Sequence, residues 1–156
     1  MKTTTEYAEK IEALKAHLIE NENFTEEEAE AIAYDPRFDS FECGSWEYKV
    51  YTEEEADKAA REEILESLWA FNPEFILYHT DFYNHSTDRE DDEFVAALSK
   101  LQGSLCESAN SIVKALIVDL DHFVTQAIQA DGRGHFLSHY DGEEVESGNF
   151  YLYRIN

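Results

Sequence analysis

Acidic side chains supply most of the chemistry this sequence can offer: 35 Asp and Glu stand against 12 Lys and Arg, with six His and two Cys. Paired carboxylates can work as general acid and base, but acids recur here in almost every stretch, so a pair picked by spacing carries no information. His135 and His139 share parity on an expected strand, with Asp131 and Asp141 nearby. Zinc takes three or four such ligands, and no Cys pair joins these two, so they are read as no metal site. Asp119, Asp121 and Asp131 miss the spacing of an EF-hand loop, which leaves only loose association of Ca²⁺ or Mg²⁺ with the acidic surface. Ser45 follows Gly44 without the G-x-S-x-G elbow of a serine nucleophile. Cys106 stands at an expected helix start, where a thiolate would be stabilised, but no His lies near it in sequence and a small buried side chain is its expected role. The run Asp131-Gly132-Arg133-Gly134 lacks both the G-x-G-x-x-G spacing and a preceding strand. The sequence therefore presents no catalytic residue, no metal ligand set and no cofactor motif, and it reads as a protein that is not an enzyme.

What remains is charge. The formal net charge is −23, well beyond the magnitude of ~2–8 usual for a small domain. Such a chain repels nucleic acid and anionic membrane and attracts basic protein surfaces. Glu54 with Lys58, and Asp57 with Arg61, have the acid-before-base i,i+4 spacing of helix-surface pairs. Two stretches lack such compensation: Glu20 to Glu30, with Glu26, Glu27 and Glu30, and Asp88 to Glu93, with Asp91 and Asp92. Acids in a first helical turn are favoured by the helix dipole, which accounts for part of each cluster and not for the total. Carboxylates one helical turn apart are ~5–6 Å from one another, close to the spacing of phosphates along a nucleic-acid strand, so a folded acidic surface can compete for a groove built to hold DNA.

Placing these acids requires the elements. Tyr7, Ile11, Leu14 and Leu18 recur at helical period over about 5–20, and Thr25 with Glu28 forms a capping box for a short helix ending near Tyr34. Trp46, Tyr48 and Val50 alternate with charged residues as a half-buried strand. A second capping box, Thr52 with Glu55, opens a helix to about Phe71. The aromatic segment with Phe75, Tyr78, Phe82 and Tyr83 reads as a helical turn and loop, followed by a helix over 87–102 with Gly103 as its C-cap. An unbroken apolar stripe over 105–130 predicts one long helix with Leu116, Leu120 and Phe123 inside. Beyond it, His135 to Tyr140 is expected to be extended and Asn149 to Ile155 to form a final strand.

The resulting expectation is a helix-dominated α+β single domain over 1–156. Its small antiparallel sheet is formed by the Trp46 strand and the C-terminal strands, and 1–45 is read as a variable N-terminal helical attachment. An apolar fraction of 43% with 13% aromatics suffices for one core. No run of ~18 apolar residues spans a membrane, and Met1-Lys2-Thr3 leads into an amphipathic helix without a signal-peptide pattern. The expected setting is a bacterial cytoplasm, with Cys43 and Cys106 as reduced thiols.

The tail carries a resemblance. Asp131-Gly132-Arg133-Gly134-His135-Phe136-Leu137, Tyr140-Asp141-Gly142-Glu143-Glu144 and Phe150-Tyr151-Leu152-Tyr153-Arg154-Ile155-Asn156 resemble the C-terminal signature of a family of small acidic proteins of bacteriophages, plasmids and bacterial genomes. Thr52 to Ala56 and Ser67-Leu68-Trp69-Ala70-Phe71 are similar to the same family. With the intervening helices the match covers the last two thirds or so of the chain and leaves out 1–45. The resemblance brings no catalytic residue with it; it implies a mobile-element setting, in which small acidic proteins often inhibit host restriction or CRISPR nucleases.

The expected function is therefore binding and blocking of a basic, nucleic-acid-handling bacterial protein by DNA mimicry, as an anti-CRISPR or anti-restriction protein that itself binds no nucleic acid. The expected contact residues are Glu26, Glu27, Glu30, Asp88, Asp91, Asp92 and Glu93, with Tyr78, Phe82 and Tyr83 as aromatic anchors. The alternative is a non-catalytic interaction module that binds through the C-terminal sheet and Gly-rich turn, acidity serving solubility alone. In either case the melting temperature should rise from low to physiological salt, and more per mole with Mg²⁺ than with Na⁺, because added cations relieve repulsion among the acids. A melting temperature flat across that range would mean the charge is already locally compensated.

Overall fold

The structure is a computed structural model that describes residues 3–83 and 88–156, the side chains of 88–92 excepted. In chain order the first elements are α1 (Thr4–Asn21), α2 (Glu26–Ala29), β1 (Ala33–Asp35), β2 (Ser40–Cys43), β3 (Trp46–Tyr51) and α3 (Glu53–Glu66). Then come α4 (Pro73–Tyr78), α5 (Asp88–Leu105), α6 (Asn110–Leu116), α7 (Leu120–Asp131), α8 (Arg133–Leu137), β4 (Val145–Ser147) and β5 (Phe150–Arg154). Short 3₁₀ turns cover Leu68–Ala70 and Cys106–Ala109. The fold is α+β with helices dominant. Among the described residues, no helix is long and apolar enough to cross a membrane.

Local chemistry starts several of these elements. The Thr3 hydroxyl accepts from the N–H of Glu6 at the head of α1. Both expected capping boxes are formed, Thr25 with Glu28 and Thr52 with Glu55. Asn72 caps α4, with Pro73 in its first turn.

The chain divides into two compact units, Met1–Ala60 with Asp131–Asn156, and Arg61–Ala130. In the first, the five strands run in the order β1-β2-β3-β5-β4, each antiparallel to its neighbour. The Trp46 strand pairs with the C-terminal strand, Val50 opposite Leu152. Leu14 and Leu18 of α1 join Phe41, Tyr48, Val50 and Leu152 in a single core cluster. Gly44, at φ +62°, turns the chain from β2 to β3, which makes Ser45 an exposed turn residue. In the second unit, Phe71 and Phe75 pack their rings against Phe123, with Leu68, Ile76, Leu98 and Val113 buried.

Several expectations need correction. The helix opened by Thr25 ends at Ala29 instead of near Tyr34, because Tyr34 is drawn into a strand where its ring meets Tyr7 and Phe41. The long helix over 105–130 is broken twice. Cys106 adopts φ +48°, and Asn110 is recruited by tertiary bonds, accepting from the N–H of Trp69 at 2.8 Å and donating to the carbonyl of Glu66. Further on, Ile117 bridges to Thr80, and Asp119 then caps α7 by accepting from the N–H of His122 at 3.0 Å. Phe123 is fully buried as expected, while Leu116 and Leu120 are only half-buried. Cys106 is exposed, not buried. Finally, 133–137 is helical, not extended, because consecutive Phe136 and Leu137 both point inward.

Glycine separates helix interior from close packing. α5 runs through Gly103 to Leu105, so this residue is no C-cap, and a Cβ placed on it meets nothing within 4 Å. A Cβ on Gly134 would lie 2.5 Å from the carbonyl oxygen of Gly142 and 2.7 Å from backbone atoms of Glu143 and Glu144. Gly103→Ala is expected to stabilise the protein by up to ~1 kcal/mol, and Gly134→Ala to destabilise it by about 1–3 kcal/mol through overpacking. Urea unfolding checks both; a destabilising Gly103→Ala would restore the C-cap.

Candidate functional site

Several positive side chains of the first unit turn inward, while Arg37 and Lys58 stay exposed. Arg133, only 9% exposed, donates from Nε and Nη2 to Glu144 (2.9 and 3.0 Å) and from Nη1 to Glu53 (3.1 Å) and Asp57 (2.9 Å). Its guanidinium lies over the Tyr151 ring at 4.5 Å. Tyr153 donates its hydroxyl to the same Glu144 carboxylate. Burial works against the arginine charge, but Glu144, Tyr153 and Asp57 more than offset it and hold the group firmly protonated. Burial, then Glu144, pushes the Tyr153 hydroxyl well above its ordinary range, so it remains a donor.

Other cations are held by nearby acids, carbonyls or rings. Lys10 has 0% side-chain exposure, with its ammonium 2.5 Å from Glu55 and 3.6 Å from Glu6. Arg154 is held between the rings of Trp46 (3.5 Å) and Tyr140 (3.7 Å). Lys49 donates to the carbonyls of Phe38 and Asp39, and Lys15 pairs with Glu30. Arg37 is 77% exposed but clamped by Asp35, whose carboxyl is held below its usual range by that arginine. The i,i+4 pairing expected of Asp57 gives way to longer reach: Asp57 serves Arg133, and Arg61 pairs with Asp121 at 2.6 Å.

The acids face out. Glu26 and Glu27, in the single turn of α2, are exposed, and neither forms an ion pair among the described residues. Glu30 is exposed and joined to Lys15. Asp88, Asp91 and Asp92 lie in the first turns of α5, and their side chains fall outside the described residues; Glu93 is exposed. The three expected aromatic anchors come together at the end of α4. The rings of Tyr78 and Tyr83 are 4.7 Å apart, and Phe82 stacks on Phe94 at 5.1 Å. Tyr78 and Phe82 are exposed and Tyr83 is half-buried.

Residues with chemical reach elsewhere do not converge. His135 and His139 are both exposed, and no group of three or more His, Cys, Asp and Glu among the described residues is arranged to hold a metal ion. Cys43 is buried, donating toward the carbonyl of Glu28, and burial raises its pKa. A cavity of about 480 Å³ in the second unit is lined by Glu63, Glu66, Ser67, Trp69, Glu107 and Asn110. It offers carboxylates and an indole wall, with no base–nucleophile pair. No family model, no curated protein and no solved structure matches the chain.

The inward cations were not anticipated from sequence. The signal was present for Lys10, which lies three residues after Tyr7 and four before Leu14, on the buried face of α1.

His79 sits beneath the aromatic anchors, its ring 5.0 Å from Phe75, 5.1 Å from Phe123 and 5.4 Å from His122. Burial, and secondarily His122, lowers its pKa below the ordinary 6.5. The unfolded chain then binds the more protons between the folded pKa and 6.5, so this contribution is complete above 6.5 and is lost as pH falls below it. The stability difference between the protein and His79→Phe should therefore shrink between pH 7.5 and pH 5. Parallel pH profiles by chemical denaturation would remove His79 from the acid response.

Proposed function

We propose that the chain is a phage- or plasmid-type accessory protein, an anti-CRISPR or anti-restriction inhibitor that works in the cytoplasm of the bacterial host. It binds a basic, nucleic-acid-handling defence protein and blocks its groove by DNA mimicry, without chemistry of its own. The observation that carries this reading is the direction of the charges: Lys10, Arg133 and Arg154 are folded inward while Glu26, Glu27 and their like remain outside. The field at the surface of that unit is thus more uniformly negative than composition alone requires, as a surface competing with phosphates needs. The resemblance of the tail to small acidic mobile-element proteins supplies the setting.

The interaction-module alternative binds through the C-terminal sheet and the Gly-rich turn that holds Arg133. The donors of Arg133 are directed to Glu53, Asp57 and Glu144, which counts against that turn as a binding surface.

Pull-down from bacterial lysate at two salt concentrations, followed by competition with duplex DNA, tests the reading. A nucleic-acid-handling protein should be recovered, more weakly at high salt, and displaced by DNA. Glu26→Lys with Glu27→Lys should weaken capture at least tenfold, whereas Glu54→Lys with Glu62→Lys should matter less. Simultaneous binding of DNA and this protein to the partner would rule mimicry out.

A further inference from the structure

The end of α4 presents exposed apolar side chains. Tyr78 and Phe82 are each 58% exposed and Val118 is 65% exposed. Local hydrogen bonds place their backbones. The Thr80 hydroxyl donates to the carbonyl of Leu77 (2.8 Å) and accepts from the N–H of Phe82 (3.3 Å). The N–H of Val118 donates to the carbonyl of His79 (3.0 Å), and Ile117 bridges Thr80. The two chain segments that build the surface are thereby joined edge to edge.

Its exposed charge is chiefly acidic, with Asp121 paired to Arg61. Segments 71–83 and 117–130 contain Glu74, Asp81, Asp119 and Asp121, all exposed, and no Lys or Arg. A second copy of this chain would bring the same acids and a further −23 to the contact, and an anionic membrane is repelled by the same field. A basic partner is attracted. Among basic side chains, arginine suits this surface better than lysine. Its planar guanidinium stacks on aromatic faces while its N–H groups reach carboxylates, whereas the ammonium of lysine is compact and strongly hydrated. The molecule applies the same chemistry to itself, where Arg154 lies between Trp46 and Tyr140 and Arg133 covers Tyr151.

We propose that Tyr78, Phe82 and Val118, with Asp81 and Asp119 beside them in sequence, form a seat for an arginine-bearing segment of a protein partner. This deepens the proposed function by naming what the partner presents, and it rests on that reading for the partner being basic.

Fluorescence anisotropy with labelled nona-arginine and nona-lysine peptides, against the full chain at physiological salt, tests the seat. Nona-arginine should bind roughly fivefold to tenfold more tightly than nona-lysine. Tyr78→Ala with Phe82→Ala should abolish that preference while leaving residual salt-sensitive binding of both peptides. Phe82→Ala alone, which keeps α4 intact, should reduce it, and Phe38→Ala, at an exposed aromatic in the other unit, should leave it unchanged. Equal affinities for the two peptides, or a preference that survives the double substitution, would overturn the proposal. So would a concentration-dependent dimer in sedimentation that the double substitution dissolves, since the surface would then belong to a second copy. The peptide preference is independent of DNA competition, so a preference without competition would leave the seat standing and remove mimicry, and the reverse result would do the opposite.

Discussion

Positive charge is the scarce component of this molecule, and where it is placed governs both the fold and the surface. Arg133 alone reaches the first turn of α3 through Glu53 and Asp57, the approach to β4 through Glu144, and the face of Tyr151 on β5. Three stretches distant in sequence meet on one guanidinium. Burying such a charge is costly unless its donors are matched, and here all three nitrogens find carboxylates. Lys10 does the same between α1 and α3. Every cation drawn inward in this way leaves the exterior with less to neutralise it, so internal cross-linking and external acidity are two faces of one arrangement.

The same arrangement accounts for the glycine, serine, tyrosine and arginine residues of the tail. Gly134 is where the backbone of α8 meets that of Gly142 to Glu144 with no room for a Cβ. Ser138 donates toward Asp141 and the carbonyl of Arg154, Glu144 receives both Arg133 and Tyr153, and Arg154 fills the gap between Tyr140 and Trp46. Each conspicuous position in the tail has a partner inside the same unit. These tail residues close the unit on itself.

Much of the fold was legible because its causes are local. Capping boxes at Thr25 and Thr52, the stripe of α1 and the alternation of β3 all depend on residues a few positions apart, and all appear where expected. The errors fall where distant residues decide. An apolar period continues through 105–130, yet Asn110 and Ile117 are claimed by Trp69, Glu66 and Thr80, and periodicity carries no trace of such partners. The run Ile117-Val118-Asp119, two β-branched residues before a capping residue, was the one local hint of the second break. Of the candidate site, the exposed acids of α2 and the exposure of Tyr78 and Phe82 were readable from type and spacing, while the Phe82–Phe94 stack was not. Val118 was not, because a valine within an apolar period gives no sign of facing outward.

The order of the sheet has a consequence for how the protein is made. β3 lies between β2 and β5, and β5 is synthesised about 100 residues after it. Synthesis at ~5–20 residues per second puts an interval on the order of ten seconds between the two strands. Throughout that time β3 keeps one edge open, with Tyr48 and Val50 short of their cover from Leu152. The contiguous stretch from Arg61 to Ala130 emerges within the same interval. The nascent chain therefore carries an unpaired strand edge until its tail arrives, and the acids around that edge repel neighbouring nascent copies while it waits.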